Sequence, residues 1–353
     1  MAYTTINKSG LHFNTITWAG NNSARSLTGV GFAPDWIWLK DRTGNNGHAI
    51  FDSVRGANKY ITSNQGIAQL DQPSSGYISA FDSDGFSGVT GSSSYNNWNG
   101  SGNNYVGWNW KAGTTGSGTT TGSGTGKAYS YSVNTTAGFS IIKYVGNGTA
   151  GHTLPHHLGA VPEWILVKDL DAAVNWQMYH QVTGNTHTTE LNINNAPFSS
   201  NSRWNNTTPS STVVTFGDGN NVNNNNTNYI MYAFAPKTGY SKFGRYSGNG
   251  STDGPFIYTG FKPSWVMTIR EDAPSGRGML DNKRPGRNVT HQYLLANDAQ
   301  AEASDGSWSM DLLSNGWKAR YNNGNFNASS GTYIYMAFGQ SIVGSNNVPV
   351  TAR

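Results

Sequence analysis

Three segments of the chain repeat one another in order, and this repetition constrains the fold more than any other feature. Pro34-Asp35-Trp36-Ile37-Trp38-Leu39-Lys40 returns as Pro162-Glu163-Trp164-Ile165-Leu166-Val167-Lys168 and as Pro263-Ser264-Trp265-Val266-Met267-Thr268-Ile269. A second block, Asn104-Tyr105-Val106-Gly107-Trp108-Asn109-Trp110, returns as Asn228-Tyr229-Ile230-Met231-Tyr232-Ala233-Phe234 and Thr332-Tyr333-Ile334-Tyr335-Met336-Ala337-Phe338. The Pro-to-Tyr spacing is 71, 67 and 70 residues in the three copies. Upstream of each Pro stands a third block: Trp18-Ala19-Gly20-Asn21, Tyr144-Val145-Gly146-Asn147 and Tyr246-Ser247-Gly248-Asn249. Three ordered blocks at near-constant spacing define three modules of roughly 100–110 residues, a common domain size.

The grammar of each module is that of strands. Trp36-Ile37-Trp38-Leu39 and Trp164-Ile165-Leu166-Val167 are unbroken apolar, β-prone runs, which suit strands buried on both faces. Pro stands two residues before the Trp, where it costs no ladder bond. Gly/Asn clusters between the runs supply turns. Only 12% of the 353 residues are charged, too few for a largely helical surface. The expectation is an all-β chain of three tandem antiparallel β-sandwich modules, jelly-roll or lectin-like, at residues 1–113, 127–237 and 238–341. The Gly/Ser/Thr run at 114–126 reads as a flexible linker, so modules two and three should sit closer together than one and two. Residues 342–353 read as a tail, and 297–304 as the best short-helix candidate. Trp36, Trp164 and Trp265 are expected to pack inside their own modules.

Composition excludes several classes. The chain has no cysteine, hence no disulfide, thiolate metal site or Cys nucleophile. Without disulfides, a Gly/Asn-rich β protein needs other stabilisation, such as burial in an oligomer. The net charge of +4 rests on few charges, and the densest basic segment, Lys283 to Arg287, holds three. Nucleic acid is therefore not an expected partner. The longest apolar run, 229–235, is far short of a membrane span, and Met1-Ala2-Tyr3-Thr4-Thr5 lacks the basic and apolar regions of a signal peptide.

Candidate chemistry is sparse. His152, His156 and His157 form the densest histidine cluster, but neighbouring strand residues point to opposite faces, which argues against a shared metal. Asp82-Ser83-Asp84-Gly85 and Asp169-Leu170-Asp171 carry paired acids that could serve Ca²⁺ or a glycosidase, yet also read as turns, and module three lacks the first pair. Gly146-Asn147-Gly148 and Gly248-Asn249-Gly250 lack the context of a phosphate loop and read as repeated turns. Trp18, Trp98, Trp204 and Trp308 lie in polar surroundings. They are the candidates for exposed rings that stack on a glycan or touch a partner, against the plainer reading that they fill sandwich ends. No catalytic residue, cofactor or metal is assigned.

The stretch from Phe243 to Pro263, and Asp311-Leu312-Leu313-Ser314-Asn315-Gly316-Trp317-Lys318 with the block that follows it, resemble a module repeated in structural proteins of marine tailed bacteriophages. Such proteins are described as tail-fibre or virion proteins. The resemblance is closest in module three and loosest in module one. It implies a virion setting, assembly in the host cytoplasm, and other virion proteins and a host surface glycan as partners. The expected function is a non-enzymatic, fibre- or appendage-type adhesin, working as a homo-oligomer through multivalent contact. The alternatives are a capsid-decorating or tail-assembly protein and, from a different class, a glycan depolymerase.

Overall fold

The computed structural model describes residues 4–71, 73–91 and 98–341. The fold is all-β, and each module is a sandwich of antiparallel sheets. In module one the inner sheet runs β1 (Phe13–Ala19), β8 (Asn104–Trp110), β3 (Trp36–Asp41), β4 (Ala49–Asp52), β5 (Tyr60–Ile61). Its outer sheet is β2 (Arg25–Thr28), β7 (Gly85–Val89), β6 (Tyr77–Asp82). Module three repeats the inner order as β20 (Ser241–Ser247), β27 (Thr332–Ser341), β22 (Phe261–Arg270), β23 (Gly278–Asp281), β24 (Leu294–Leu295). Its outer sheet is β21 (Phe256–Tyr258), β26 (Gly316–Ala319), β25 (Met310–Leu313).

Module two keeps the order as β12 (Phe139–Val145), β19 (Asn228–Phe234), β14 (Trp164–Asp169), β15 (Gln177–His180), β16 (His187–Glu190). This sheet is extended by β17 (Phe198–Ser199) at one edge and by β11 (Ala128–Asn134) and β9 (Thr114–Thr119) at the other. Its outer sheet is β10 (Thr121–Gly122), β13 (His152–Pro155), β18 (Val213–Phe216). Register carries the repeat: Trp36 faces Trp110, Trp164 faces Phe234, and Trp265 faces Phe338.

Each inner sheet buries both faces, as its unbroken apolar runs require. One face meets the module's own outer sheet: Ile37 and Leu39, Ile165 and Val167, and Val266 lie in three separate sandwich cores. The alternate residues, Trp36 and Trp38, Trp164 and Leu166, Trp265 and Met267, share a single core between the modules. Here the structure corrects the expectation that each block-one Trp packs within its own module. Trp110, Phe234 and Phe338 close a triangle, with centroid distances of 6.4, 5.6 and 5.6 Å. Trp36 lies tilted against Phe234 at 5.7 Å, and Trp164 meets Trp265 at 6.3 Å. The indole N–H groups of Trp36, Trp110, Trp164 and Trp265 find no hydrogen-bond acceptor among the described residues. They sit among aromatic rings instead; Trp110 stands edge-on to Trp265 at 88°.

Polar contacts at the three seams follow one cyclic sense. Tyr232 of module two donates to Asp52 of module one (2.6 Å), and Trp108 of module one donates to Asp281 of module three (3.0 Å). His180 of module two takes the corresponding place at the remaining seam, 3.4 Å from the Tyr335 carbonyl. A second set reaches neighbouring edge strands. Trp176 donates to the Thr62 carbonyl, and Arg277 to that of Glu190, at 2.8 and 2.9 Å. His48 Nδ1 accepts from Trp38, which leaves Nε2 to donate to the Leu295 carbonyl at 2.9 Å. Three different donors thus do one job at one repeat position. Head-to-tail contacts that close after three units make a ring, here within one chain. The modules bury the inner faces of their sheets on one another within the chain.

Three expectations are corrected. Residues 114–126 are no free linker: β9 pairs with β11 along its whole length, and β10 pairs with β13. Module one is therefore not set apart from module two. Residues 297–304 form no helix, because Ala303 bridges to Tyr293 and Glu302 N–H donates to the Arg42 carbonyl. The tail at 342–353 lies outside the described residues.

Candidate functional site

The repeated motifs are consumed by the fold. A Cβ on Gly20, Gly146 or Gly248 would collide with the carbonyl oxygen of Gly100, Asn224 or Ala328. The following residues, Asn21, Asn147 and Asn249, donate their backbone N–H to the side chains of Asn99, Asn223 and Asn327. The hydroxyls of Tyr105, Tyr229 and Tyr333 accept from the backbone N–H of Gly100, Asn224 and Ala328. The Gly-Asn pattern is a turn clamp used three times.

The four tryptophans singled out in the sequence do not present free rings. Trp204, Trp98 and Trp308 are 0%, 0% and 2% exposed, and Trp18 is 9%. Trp18 donates to the Trp98 carbonyl, as Tyr144 does to Val222 and Tyr246 to Phe326 in the other modules. The expectation of a glycan-stacking surface at these positions fails for lack of an accessible face.

The histidines do not converge. His152 lies between Asn223 (2.8 Å) and Thr120 (2.7 Å), and His156 meets the Ser210 carbonyl at 3.1 Å. Burial lowers the pKa of both, that of His156 to about 4. Among the described residues no three His, Cys, Asp or Glu side chains are placed to hold a metal. The paired acids serve loops: Asp84 accepts from the N–H of Gly29 and Gly31, and Asp169 from those of Asp171 and Ala172.

What module two adds to the common plan is an open groove of about 570 Å³ where it meets module one. Tyr131, His157, Thr114, Asn134, Thr135 and Thr136 line it. Glycine makes the site possible. Tyr131 pairs across the strands with Gly116 and Tyr129 with Gly118, and a Cβ on either glycine would lie 2.6 or 2.7 Å from the tyrosine oxygen. The rings therefore lie down over β9. His157 stacks on Tyr131 at 3.8 Å and 15°, and its Nε2 is 3.1 Å from the Tyr129 hydroxyl. It adopts φ 59°, a left-handed conformation uncommon for residues other than glycine.

Ala112, one of the lining residues, is anchored from behind the groove. Asp35 of module one accepts from Ala112 N–H (2.9 Å), Ser53 Oγ (2.8 Å) and Ser132 Oγ of module two (3.3 Å). Burial raises the Asp35 pKa, opposed by those same hydrogen bonds. Asn134 reaches His12 and the Lys111 carbonyl at 3.2 and 3.3 Å. Burial lowers the pKa of His157, so at neutral pH none of the lining side chains is charged. The sequence signal that marks this site is the alternation Gly116-x-Gly118 against Tyr129-x-Tyr131 inside a segment that composition assigns to a linker.

Residues 8–341 match a protein family described as a domain of unknown function, DUF7483. No curated protein and no solved structure matches the chain.

Proposed function

We propose that this chain, which belongs to the DUF7483 family, is a non-enzymatic bacteriophage structural protein that contacts the host surface as a fibre- or appendage-type adhesin. The phage setting rests on the sequence resemblance of modules two and three. The observation that carries the adhesive reading is the uncharged, ring-lined groove between modules one and two. A binding site seated on sheets keeps its geometry better than one on loops. The common core of the three modules supports this by holding the groove in one body. Several copies of the block on one particle, as a homo-oligomer, would multiply a weak contact through effective concentration.

A second reading, a decorating or assembly protein that stabilises the particle, is favoured by one surface. Phe256 and Tyr258, 47% and 51% exposed, stand side by side on β21, an edge strand. Contact with another virion protein would cover them.

The test uses labelled chain on host cells and on polysaccharide extracted from their surface, with antibody labelling of purified particles. The adhesin reading expects saturable binding, no shortening of the polysaccharide, and label at the tail or an appendage. Label spread over the capsid without host binding favours the second reading. Shortening abolished by a single Asp or Glu substitution would establish the depolymerase instead.

A further inference from the structure

We propose that β9 is a self-pairing edge, through which two copies of this chain join their eight-stranded sheets antiparallel about a two-fold axis at Ser117. It concerns an edge rather than the groove, and it names the contact that would make the homo-oligomer.

The sequence of the strand is its own mirror. Thr114-Thr115-Gly116-Ser117-Gly118-Thr119-Thr120 reads the same in both directions. An antiparallel pair reverses one strand against the other, so a palindrome is the one pattern that sets like against like when a strand meets its own copy. Two-fold pairing about Ser117 puts Ser117 opposite Ser117, Thr115 opposite Thr119, and Gly116 opposite Gly118. Cross-strand Ser and Thr pairs are favourable, and no charge is set against a like charge.

The backbone is turned the right way. β9 closes its sheet and pairs only with β11. Beyond its end the same register continues, with Thr120 N–H donating to the Lys127 carbonyl at 2.8 Å. Bonded and non-bonded pairs alternate along an antiparallel ladder, so Gly116 and Gly118 turn their amide groups to β11, while Thr115, Ser117 and Thr119 turn theirs to the open edge. These are the residues that the palindrome sets in register. All three are exposed. On the opposite face the Tyr131 and Tyr129 rings lie over Gly116 and Gly118, and no side chain of β9 stands there to obstruct a second strand.

Other edges differ. β5, β17 and β24 are two residues long, and β20 carries Lys242 and Arg245, both common ways of blunting an edge. β1 is long and uncharged, but two-fold pairing about Ile16 would set Asn14 against Trp18. β9 has six residues with neither charge nor proline. An edge left open in this way is a template for another strand, and a contact of one patch with its own copy gives a closed dimer.

The experiment is sedimentation of the full chain over a wide range of concentration, with circular dichroism to check the fold. A monomer–dimer equilibrium is expected. Ser117→Pro removes only an edge-facing N–H, which an edge strand tolerates, and should weaken the dimer about tenfold or more. Ser117→Lys changes an exposed side chain and sets two ammonium groups face to face, so it should also give monomers, even if Ser117→Pro fails to fold. Mixing Ser117→Lys with Ser117→Glu should restore the dimer. Register is read by oxidation, since the chain has no cysteine. Ser117→Cys should link to itself, because directly opposed bonded residues lie about 5.5 Å apart between Cα atoms. Thr115→Cys should not link to itself, but should link to Thr119→Cys. A monomer at every concentration, an oligomer other than a dimer, a dimer indifferent to both Ser117 variants, or self-linking of Thr115→Cys overturns the proposal. A monomer that instead takes up another virion protein along β9 overturns it as well. Host-cell binding is measured separately: its absence in a chain that dimerises as described removes the adhesin reading and leaves this one standing.

Discussion

Two seams of the ring solve the same geometric problem with different chemistry at one repeat position. Where module three meets module one, Asp281 is fully buried and held by Arg284 at 2.6 Å, with Trp108 donating from across the seam. Arg284 also reaches Glu302 at 3.0 Å, and Glu302 pairs with Arg42 of module one at 2.8 Å. Where module two meets module three, the same repeat positions carry His180, Thr183 and Met336. There Val182 N–H occupies His180 Nδ1, and Nε2–H points at the Tyr335 carbonyl. The aromatic contacts of Trp164 with Trp265 and Phe243 do the rest. A repeat position fixes the place of a contact and leaves its chemistry free, provided every buried polar group finds a partner.

The contrast can be broken from either side. Asp281→Ala leaves the buried Arg284 with Glu302 as its remaining carboxylate partner and Trp108 without an acceptor, and urea unfolding should record a loss of about 3–5 kcal/mol. A loss below about 1 kcal/mol would mean that the seam does not depend on the pair. Trp164→Ala at the seam between modules two and three should cost a similar amount, about 3–5 kcal/mol, by loss of a buried aromatic.

Acid should weaken the seams through their buried histidines. Burial lowers the His180 pKa from 6.5 to about 4, opposed by the Tyr335 carbonyl and aided by Arg245. Between those values the unfolded chain binds the extra proton, so stability falls as pH drops from 6.5 towards 4. The contribution is at most about 3 kcal/mol. His180→Gln should flatten that part of a stability-against-pH curve, and an unchanged slope would contradict the assignment. Desolvation pushes the Asp281 pKa up, but Arg284 and the hydrogen bonds of Trp108 and Arg284 outweigh it, and the net value is lowered. Its stabilising effect is present above the ordinary carboxylate range and is lost only as pH falls through the depressed value. His48, which crosses the same seam to the Leu295 carbonyl, is also held neutral by burial, so this seam too loses stability as the pH falls below 6.5.

The smallest effect belongs to Arg245. Its exposed pair with Glu271 spans 2.6 Å. Arg245→Ala should cost under about 1 kcal/mol, and the difference should vanish in high salt.

The repeat was legible because its recurring residues have recurring jobs. Trp36, Trp164 and Trp265 line the shared core, and the Gly-Asn turns clamp the sheets. Even two-sided burial could be read from Trp36-Ile37-Trp38-Leu39, although the partner of the second face could not, since contact between modules leaves no local trace. The differences share one cause: polar composition does not mean exposure. Thr114–Thr119 looks like a flexible linker until its glycines are set against Tyr129 and Tyr131, and Trp18 looks exposed until Trp98, eighty residues on, closes over it. Burial of this kind is decided by strands distant in sequence. The groove was hidden for the same reason, because its parts come from 112–136 and from His157.

The ring itself can be tested with a single bond. Glu302 N–H donates to the Arg42 carbonyl at 2.8 Å, which brings positions 260 residues apart into backbone contact. The chain has no cysteine, so Arg42→Cys with Glu302→Cys can form only one intramolecular disulfide. A closed ring predicts that the native monomer oxidises to this bond without denaturant and then migrates as a more compact chain under non-reducing denaturing electrophoresis. Free thiols after oxidation, or disulfide-linked oligomers in place of the internal bond, would contradict it.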